Sequence, residues 1–121
     1  MIMQYFYRAK VSRVVDGDTV DFMIDLGFGI YHKVRVRLYG VNTPETRTRD
    51  EIEKAAGLAA KDYVYDWLSG QDEVFLKTIK DESGKYGRIL GFVYADPELQ
   101  ACLNDDIIDS GHGEPYYGGK R

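Results

Sequence analysis

Residues 33–46 read KVRVRLYGVNTPET and pass from a strand pattern to a loop pattern within one short segment. Up to residue 39, apolar and cationic side chains alternate, and a period of two residues is typical of a strand with one buried face. The apolar face holds Val34, Val36 and Leu38, and the opposite face holds Lys33, Arg35, Arg37 and Tyr39. The pattern stops at Gly40, and a polar loop with a carboxylate, Glu45, follows.

Four more strands are predicted around this one. Upstream, residues 5–15 and 19–24 alternate or are β-branched, and Asp16-Gly17-Asp18 joins them in a turn, because Gly permits positive φ and Asp hydrogen-bonds nearby backbone. Downstream, residues 74–79 and 88–95 read as strands separated by a polar turn. Five short strands of this kind can close into a barrel, so the pattern favours a small α+β domain.

Two helices complete the prediction. The first covers residues 50–68, with Thr48 and Glu51 as a capping box and Gly70 at the position just after the end. Helical spacing predicts that its buried stripe is Ile52, Ala55, Ala56, Ala59, Tyr63 and Trp67. The second helix is short, and we expect Asn104 to cap it. It would bury Leu103, Ile107 and Ile108.

Length and composition set limits on the class of protein. The chain has 121 residues, 44% of them hydrophobic, which predicts one domain over residues 1–121 with residues 112–121 as a surface tail. A single cysteine, Cys102, excludes an intramolecular disulfide. No signal-peptide pattern and no membrane-length apolar run is visible, so we expect an intracellular monomer with neither a membrane nor a protein partner.

The formal net charge of −4 argues against a polyanionic partner, because nucleic-acid-binding proteins usually show a basic surface. Any nucleic-acid site must therefore concentrate its positive charge locally. Cations do cluster near the loop described above, at Lys33, Arg35, Arg37, Arg47, Arg49, Lys85 and Arg88. Acidic residues cluster elsewhere, at 50–53 and 105–109. A charged substrate could thus be attracted locally despite the net charge.

The segment Asp16-Gly17-Asp18-Thr19 is the first that could carry chemistry. A carboxylate in a tight turn between strands suits a hard cation such as Ca²⁺, which prefers oxygen ligands. The same four residues are also ordinary for a hairpin turn with side-chain-to-backbone hydrogen bonds. The tetrapeptide alone does not decide between a metal site and a plain turn.

The segment from Arg35 to Glu45 is the second, and its two functional candidates are Arg37 and Glu45. Its arginine projects from the polar face of a strand, and a guanidinium can bind two phosphate oxygens at once. Its glutamate lies in the loop just beyond, where a carboxylate could take a proton from water. The alternative is a solvated strand face with a surface loop, since exposed arginine on such faces is common.

The segment Lys85-Tyr86-Gly87-Arg88 is the third. Two cations, an aromatic ring and a glycine that allows close approach suit a nucleotide, whose phosphate is anionic and whose base can stack. A hairpin turn with solubilising charges explains the same four residues equally simply.

Taken together and in this order, the segments resemble the staphylococcal nuclease family. The matching pieces are residues 15–20, residues 36–46 and residues 85–88, followed by Leu103-Asn104-Asp105, Ile107-Ile108 and Gly111. Their order and spacing agree with the family over about residues 8 to 111. Each motif is weak alone, but three on the expected elements make a specific signal.

The resemblance implies an OB-fold five-stranded β-barrel with two flanking helices and the activity of a Ca²⁺-dependent phosphodiesterase, a thermonuclease-like endonuclease acting on DNA or RNA. It implies that Asp18, Asn42 and the Thr43 carbonyl bind the metal and that Glu45 activates water. It assigns Arg37 and Arg88 to the scissile phosphate. The substrate-binding residues that it implies are Lys85, Tyr86 and Tyr117, with Tyr116 as the alternative match to the last of these.

The chain departs from the family pattern in two places. Asn42 replaces an aspartate that ligates the metal in the familiar secreted enzyme, so one negative charge is lost, and we expect weaker Ca²⁺ binding or a different metal preference. We also expect the long C-terminal helix of the family to be missing or shortened, because the given sequence ends at Arg121. The second departure affects stability rather than chemistry.

Two other functions fit parts of the pattern. An OB-type barrel can bind single-stranded nucleic acid without cutting it, by stacking and backbone contacts. A barrel that has lost its substrate can also serve as a protein-interaction domain, and it would show no salt-dependent oligonucleotide binding. The combination of Arg37, Glu45 and Arg88 favours the nuclease, because binding alone does not require this set. The sequence leaves open DNA versus RNA and single versus double strands.

Overall fold

Apolar and polar side chains alternate along the strands of this protein. The strands form a single closed barrel, and their apolar faces line its interior. The structure is a computed structural model and describes residues 5–79 and 89–116. The strands are β1 (Tyr5–Asp16), β2 (Thr19–Asp25), β3 (Tyr31–Leu38), β4 (Gly40–Asn42), β5 (Val74–Ile79), β6 (Ile89–Tyr94) and β7 (Glu114–Tyr116). The helices are α1 (Glu51–Ser69) and α2 (Leu103–Asp109).

The barrel has the strand order β1-β2-β3-β6-β5 and is closed. Its pairs are antiparallel except β3 with β6, which run parallel and place Arg37 beside Leu90. This confirms the predicted five-stranded barrel with two helices. The hairpin from β2 to β3 sets the register that matters for the site, because Thr19 at the start of β2 is paired with Arg37 near the end of β3.

The interior of the barrel is filled by the apolar face of each strand. Phe22 and Val36 are completely buried, and Leu38 is 1% exposed. Each side chain of this size contributes about 1.5–3 kcal/mol when it leaves water. Val64 and Leu68 of α1 and Leu103 and Ile107 of α2 belong to the same core cluster. The predicted alternation of β3, with valines and Leu38 inward and cations outward, is confirmed.

The buried stripe of α1 differs from the predicted one. The residues facing the barrel are Gly57, Ala60, Val64 and Leu68, whereas Ile52 is 84% exposed. Tyr63 and Trp67 are partly buried at the edge of the contact. The prediction was wrong because alanine fits either face of a helix and because a glycine adds nothing to an apolar pattern. Gly57, the smallest of the buried residues, lies where α1 packs most closely.

Both ends of α1 also differ from the prediction. Asp50 is the N-cap, and its side chain accepts hydrogen bonds from the backbone N–H groups of Ile52 and Glu53. Thr48 instead accepts from the N–H of Asp50, so the proposed capping box does not form. Gly70 is the C-cap and keeps a right-handed conformation, with φ −78°. A glycine was therefore not needed there for positive φ.

Helix α2 begins after Cys102, which makes no side-chain capping bond. Asn104 is not the cap that was predicted. Its side chain is buried, where its oxygen accepts from the N–H of Val93 and its nitrogen donates to the carbonyls of Tyr39 and Gly91. The amide thus joins α2 to β6 and to the residue between β3 and β4. Ile108 is only partly buried.

A small second sheet, β4 with β7, was not predicted. Asn42 is paired with Glu114 and Gly40 with Tyr116, so three residues of the expected surface tail form a strand beside the loop after β3. Gly40 has φ +79°, which is a conformation that favours glycine and lets the chain turn sharply out of β3. Across the described residues, neither helix combines the length and hydropathy of a membrane span.

Candidate functional site

The β2–β3 register brings two of the predicted segments together. Asp18 precedes Thr19, whose partner across the sheet is Arg37. The N–H of Leu38 also donates to the carbonyl of Asp18 at 2.8 Å. As a result, the turn after β1 and the loop after β3 lie side by side at one end of the barrel. Loops presented by a rigid sheet are the usual place for functional side chains.

A polar pocket of about 110 Å³ lies between these two loops. Its lining residues are Asp16 and Asp18 from the first loop and Thr43, Pro44, Glu45, Thr46 and Arg47 from the second. Three predicted site residues, Asp18, Thr43 and Glu45, therefore share one pocket. Its oxygen donors are of the kind that hard cations prefer.

Asp18 is fixed in this pocket by the neighbouring loop. One carboxylate oxygen accepts from the N–H of Thr43 at 3.2 Å, and the other accepts from the Thr19 hydroxyl at 3.0 Å. The side chain is 14% exposed. A carboxylate with so little contact with water needs such donors, because burial of an unpaired charge is costly.

The guanidinium of Arg37 is held by several oxygen atoms of the protein. Nη1 donates to the carbonyls of Leu38 and Val41, at 2.8 and 2.7 Å. Nη2 donates to the side-chain oxygen of Asn42 at 3.2 Å and lies 3.6 Å from Asp18 Oδ2. The side chain is 13% exposed, so its position is set by the chain before any ligand arrives. Such preorganisation favours recognition of a developing negative charge.

Asn42 lies between Arg37 and a second pocket. Its amide oxygen accepts from the arginine, and the residue lines a hollow of about 530 Å³ shared with the start of α1 and with residues 111–114. The pocket containing Asp18 is lined instead by the residue after it, Thr43. In this structure the amide therefore serves as an acceptor for Arg37.

Glu45 is exposed on the loop between β4 and α1. Its own N–H lies 3.4 Å from a carboxylate oxygen of Glu53, a residue of the first turns of α1. Beneath it, a Cβ added at Gly57 would lie 2.6 Å from the Glu45 carbonyl and 2.7 Å from that of Pro44. The helix thus packs directly against the backbone of Glu45, and only glycine fits at that point of contact.

The roles of three residues at this site were missed by reasoning from sequence. Asp16 lines the same pocket as Asp18, and its carboxylate accepts from the Thr46 hydroxyl at 2.7 Å. Its presence in the turn motif was the available signal. Gly57 was missed because helical spacing gives no sign of what a helix contacts. Gly17 is similar, since a Cβ there would meet Ala60 at 2.9 Å.

The third predicted segment cannot be placed beside the other two. Lys85, Tyr86, Arg88 and Tyr117 lie outside the described residues. The alternative match, Tyr116, is described, and its ring centroid lies 6.0 Å from the guanidinium carbon of Arg37. That distance is at the limit of a cation–π contact.

The oxygen atoms that line the pocket match part of what a divalent cation needs. Asp16, Asp18 and Glu45 offer carboxylate oxygens around one small space, which is the donor chemistry of a hard cation. Within residues 5–79 and 89–116, however, no three Asp, Glu, His or Cys side chains converge closely enough to hold an ion by themselves. A cation that keeps part of its water shell fits this arrangement better than one enclosed by protein alone.

Comparison with protein families matches residues 35–118 to the group described as "Staphylococcal nuclease homologue". Similar proteins include Endonuclease YhcR of Bacillus subtilis (strain 168), 31% identical over 116 residues that make up 92% of this chain and 9% of that protein. The Thermonuclease of Staphylococcus intermedius is 37% identical over 74% of this chain and 49% of its own length. The Thermonuclease of Staphylococcus hyicus is 34% identical over 84% and 55%. The chain thus spans about half the length of these two thermonucleases.

Proposed function

The chain belongs to the staphylococcal nuclease family, and from this we propose that it is a metal-dependent nuclease that hydrolyses phosphodiester bonds of DNA or RNA. The observation that carries the proposal is the fixed guanidinium of Arg37, held against Asp18 at the mouth of an oxygen-lined pocket that also contains Glu45. The named relatives support the same activity, since each is called a nuclease.

Arg37 is suited to a phosphate group. Attack on phosphorus builds negative charge on the phosphoryl oxygens, and a preorganised cation stabilises that charge without having to move. The carbonyls of Leu38 and Val41 accept hydrogen bonds from the guanidinium and so orient it at the rim of the barrel. Because carbonyls carry no net charge, these two contacts leave the positive charge of Arg37 in place. The family resemblance adds Arg88 as a second cation for the same phosphate, and Lys85, Tyr86 and Tyr117 as contacts to the nucleotide.

Glu45 is proposed to take the proton from the attacking water. It is exposed at the pocket, so water reaches its carboxylate, and the loop beneath it is supported by α1 through Gly57. A positioned carboxylate acting as general base contributes roughly 10²–10⁴ in rate. As the water oxygen bonds to phosphorus, its proton passes to Glu45. The bond from phosphorus to one sugar oxygen breaks, and that oxygen leaves and takes a proton from solvent.

A divalent cation, with Ca²⁺ as the first candidate, would be held by Asp18, the Thr43 carbonyl and Asn42, and we add Asp16 because it lines the same pocket. When bound, such a cation neutralises charge on phosphoryl oxygens and activates water. The hydrogen bonds from Thr19 and Thr43 already orient Asp18 for this role. We further propose that residues 1–121 form one domain.

Cleavage of labelled single- and double-stranded DNA tests the proposal, with Ca²⁺, Mg²⁺ or Mn²⁺ and with a chelator. We expect cutting that depends on a metal and that falls by roughly 10²–10⁴ in Glu45→Gln, with cooperative unfolding retained. Glu51→Gln is the matched control, because it changes the same group at an exposed position of α1.

Two results would count against parts of this assignment. If Glu45→Gln cuts as fast as the parent, Glu45 is not the base. If the parent fails to cut with any of the metals but still binds oligonucleotides in a salt-sensitive way, the protein is a non-catalytic binding module, and Asn42 is the first residue to change to aspartate.

A further inference from the structure

The outer surface of β1, β2 and β3 is strongly cationic although the chain is acidic overall. We call it the outer sheet face and define it by the residues that the strand register places side by side. Its rows are Arg8–Asp25–Tyr31, Lys10–Met23–Lys33 and Arg13–Asp21–Arg35. The next row, Asp16–Thr19–Arg37, belongs to the candidate site. The outer sheet face therefore runs directly into the pocket.

We propose that the outer sheet face binds single-stranded nucleic acid and guides it toward the pocket beside Arg37. The inference rests on the proposed function, because the bound strand is the substrate of the proposed nuclease. It concerns a different surface, however, which no part of the pocket chemistry requires.

Charge is the first support. The face carries five cations, Arg8, Lys10, Arg13, Lys33 and Arg35, and all five are exposed. Its carboxylates are Asp21 and Asp25, with Glu73 at one edge. The protein has a formal net charge of −4, so this face is locally opposite in sign to the whole molecule. A polyanion is attracted to a cationic surface within about 10 Å at moderate ionic strength.

Two of the three carboxylates of the face, Asp21 and Asp25, already accept hydrogen bonds from the protein. Asp21 is 5% exposed and accepts two hydrogen bonds from Arg35, at 2.8 and 3.2 Å. Asp25 accepts from the N–H of Gly27 and so stabilises the turn between β2 and β3. Both carboxylates are thus directed at donors of the protein, whereas the exposed lysines Lys10 and Lys33 project from the two flanking strands.

A hollow in this face gives the second support. It has a volume of about 150 Å³, and its walls include Arg8, Lys10, Met23 and Tyr31, together with the carboxylates Asp25 and Glu73. Tyr31 is 56% exposed, so its ring is available to a ligand. An aromatic ring and a thioether offer a surface for a flat base, while the cations outside the carboxylate-lined part of the hollow, Arg13 and Lys33, can contact the phosphates.

The geometry favours one strand over a duplex. From Tyr31 to Arg37 the face extends by six residues of β3, about 20 Å, which is the length of about six stacked nucleotides. The cations of β1 and of β3 lie two strand spacings apart, about 10 Å. Only an unpaired base can turn into the hollow, because the bases of a duplex are stacked and paired inside it.

The test uses Lys10→Gln/Lys33→Gln, which removes two exposed charges from opposite edges of the face. The matched control is Lys54→Gln/Lys61→Gln, which removes two charges from α1. Binding of a fluorescent 20-nucleotide single strand is measured by anisotropy with chelator present, over a range of salt concentrations. Cleavage of that strand and of a dinucleotide is then compared for all three proteins, with metal added.

We expect the face variant to bind the 20-mer about tenfold more weakly at low salt, with a salt slope smaller by about 1.4, since each single-strand phosphate contact contributes about 0.7. Its KM for the 20-mer rises, while cleavage of the dinucleotide, which reaches only the pocket, is unchanged. The control variant behaves as the parent. Tyr31→Ala weakens 20-mer binding without changing the salt slope.

The outcomes separate this inference from the proposed function. If the face variant binds and cuts the 20-mer like the parent, the inference is wrong and the nuclease assignment stands. If no protein cuts but the face variant still loses binding, the nuclease assignment fails and the binding face stands. Equal losses for a duplex of the same length overturn the preference for single strands. A parent that neither binds nor cuts overturns both.

Discussion

At the scale of single residues, position in the fold decides between roles that one residue type can play. Asn104 was expected to cap a helix, as asparagine often does. Instead it is buried and satisfies the backbone of β6 and the end of β3 through three hydrogen bonds. No local pattern distinguishes these roles, because its partners Tyr39, Gly91 and Val93 are distant in sequence. They become neighbours only after the barrel closes.

The placement of Asp18 beside Arg37 has a simpler physical origin than that of Asn104. Asp18 lies in the turn just before β2 and Arg37 near the end of β3, and the short β2–β3 hairpin fixes their register. The family resemblance named both residues, but their juxtaposition was not predicted. The contacts that hold them, such as the Thr43 N–H and the Val41 carbonyl, depend on the path of an irregular loop and could not be read in advance.

Asn42 allows a direct test at this scale. Asn42→Asp adds a carboxylate next to Arg37, whose Nη2 already donates to this side chain, so the fold tolerates the change. We expect Ca²⁺ to bind several-fold more tightly, because affinity rises with the charge of the ligands. Calorimetric titration of parent and variant measures it. Unchanged affinity would mean that residue 42 serves only Arg37 and lies outside the metal's ligand set.

At the scale of elements, the helices show the limit of pattern reading. Five strands were predicted close to their observed bounds, since alternation reports directly which side of a sheet is buried. Helix α1 was also found, but its buried residues lie one position further along than predicted, and only Tyr63 and Trp67 of the predicted stripe pack against the core. The buried residues of α1 include Gly57 and Ala60. Their small size allows the helix to pack closely, and their hydrophobicity is not what places them there. Packing distance is a tertiary property that helical periodicity does not contain.

Gly57 turns this difference into a prediction. Glycine in a helix interior usually costs about 1 kcal/mol relative to alanine, so Gly→Ala normally stabilises. At Gly57 the new Cβ would lie 2.6 Å from the Glu45 carbonyl, a backbone atom that cannot easily move. We expect Gly57→Ala to destabilise by roughly 1–3 kcal/mol and to reduce cleavage by shifting the Glu45 loop. Urea unfolding and the cleavage assay measure both effects.

Gly70 supplies the matched control. It has an ordinary right-handed conformation, and the nearest atom to an added Cβ is 3.9 Å away. Gly70→Ala should therefore leave stability unchanged or raise it by a few tenths of a kcal/mol up to about 1 kcal/mol. Equal effects at the two glycines would contradict the claim that α1 supports the site loop through Gly57.

At the scale of the whole molecule, closure of the barrel joins chemistry that the sequence keeps apart. The chain is acidic overall, which argued against nucleic acid, yet the register of β1, β2 and β3 gathers cations from residues 8 to 35 on one face. Composition averages over all surfaces, so it could not reveal this. The order of strands in the closed barrel likewise depends on the parallel pairing of β3 with β6, a contact between distant segments.

The ion pair on the outer sheet face also makes the stability of the whole fold depend on pH. The hydrogen bond from Arg35 lowers the pKa of Asp21, and the nearby charges of Arg35, Lys33 and Arg13 act in the same direction against the opposing effect of burial. A carboxyl whose pKa is lower in the folded state stabilises the fold above its unfolded pKa, about 3.9. That contribution is lost as the pH falls through the folded pKa.

Asp21→Asn removes this contribution and leaves Arg35 without its carboxylate. We expect the variant to be less stable than the parent near neutral pH. The difference should shrink as the pH falls below about 4 and vanish only below the lowered pKa of Asp21, where the parent's carboxyl is protonated as well. Asp96, whose pKa is lowered by the N–H groups of Ala101 and Gln100, is unaffected and keeps part of the acid sensitivity in both proteins. Asp62→Asn, at an exposed position of α1, controls for the loss of one negative charge. Urea unfolding between pH 2.5 and 7 gives the comparison, and a stability difference that stays constant over that range would show that Asp21 does not stabilise the barrel through its charge.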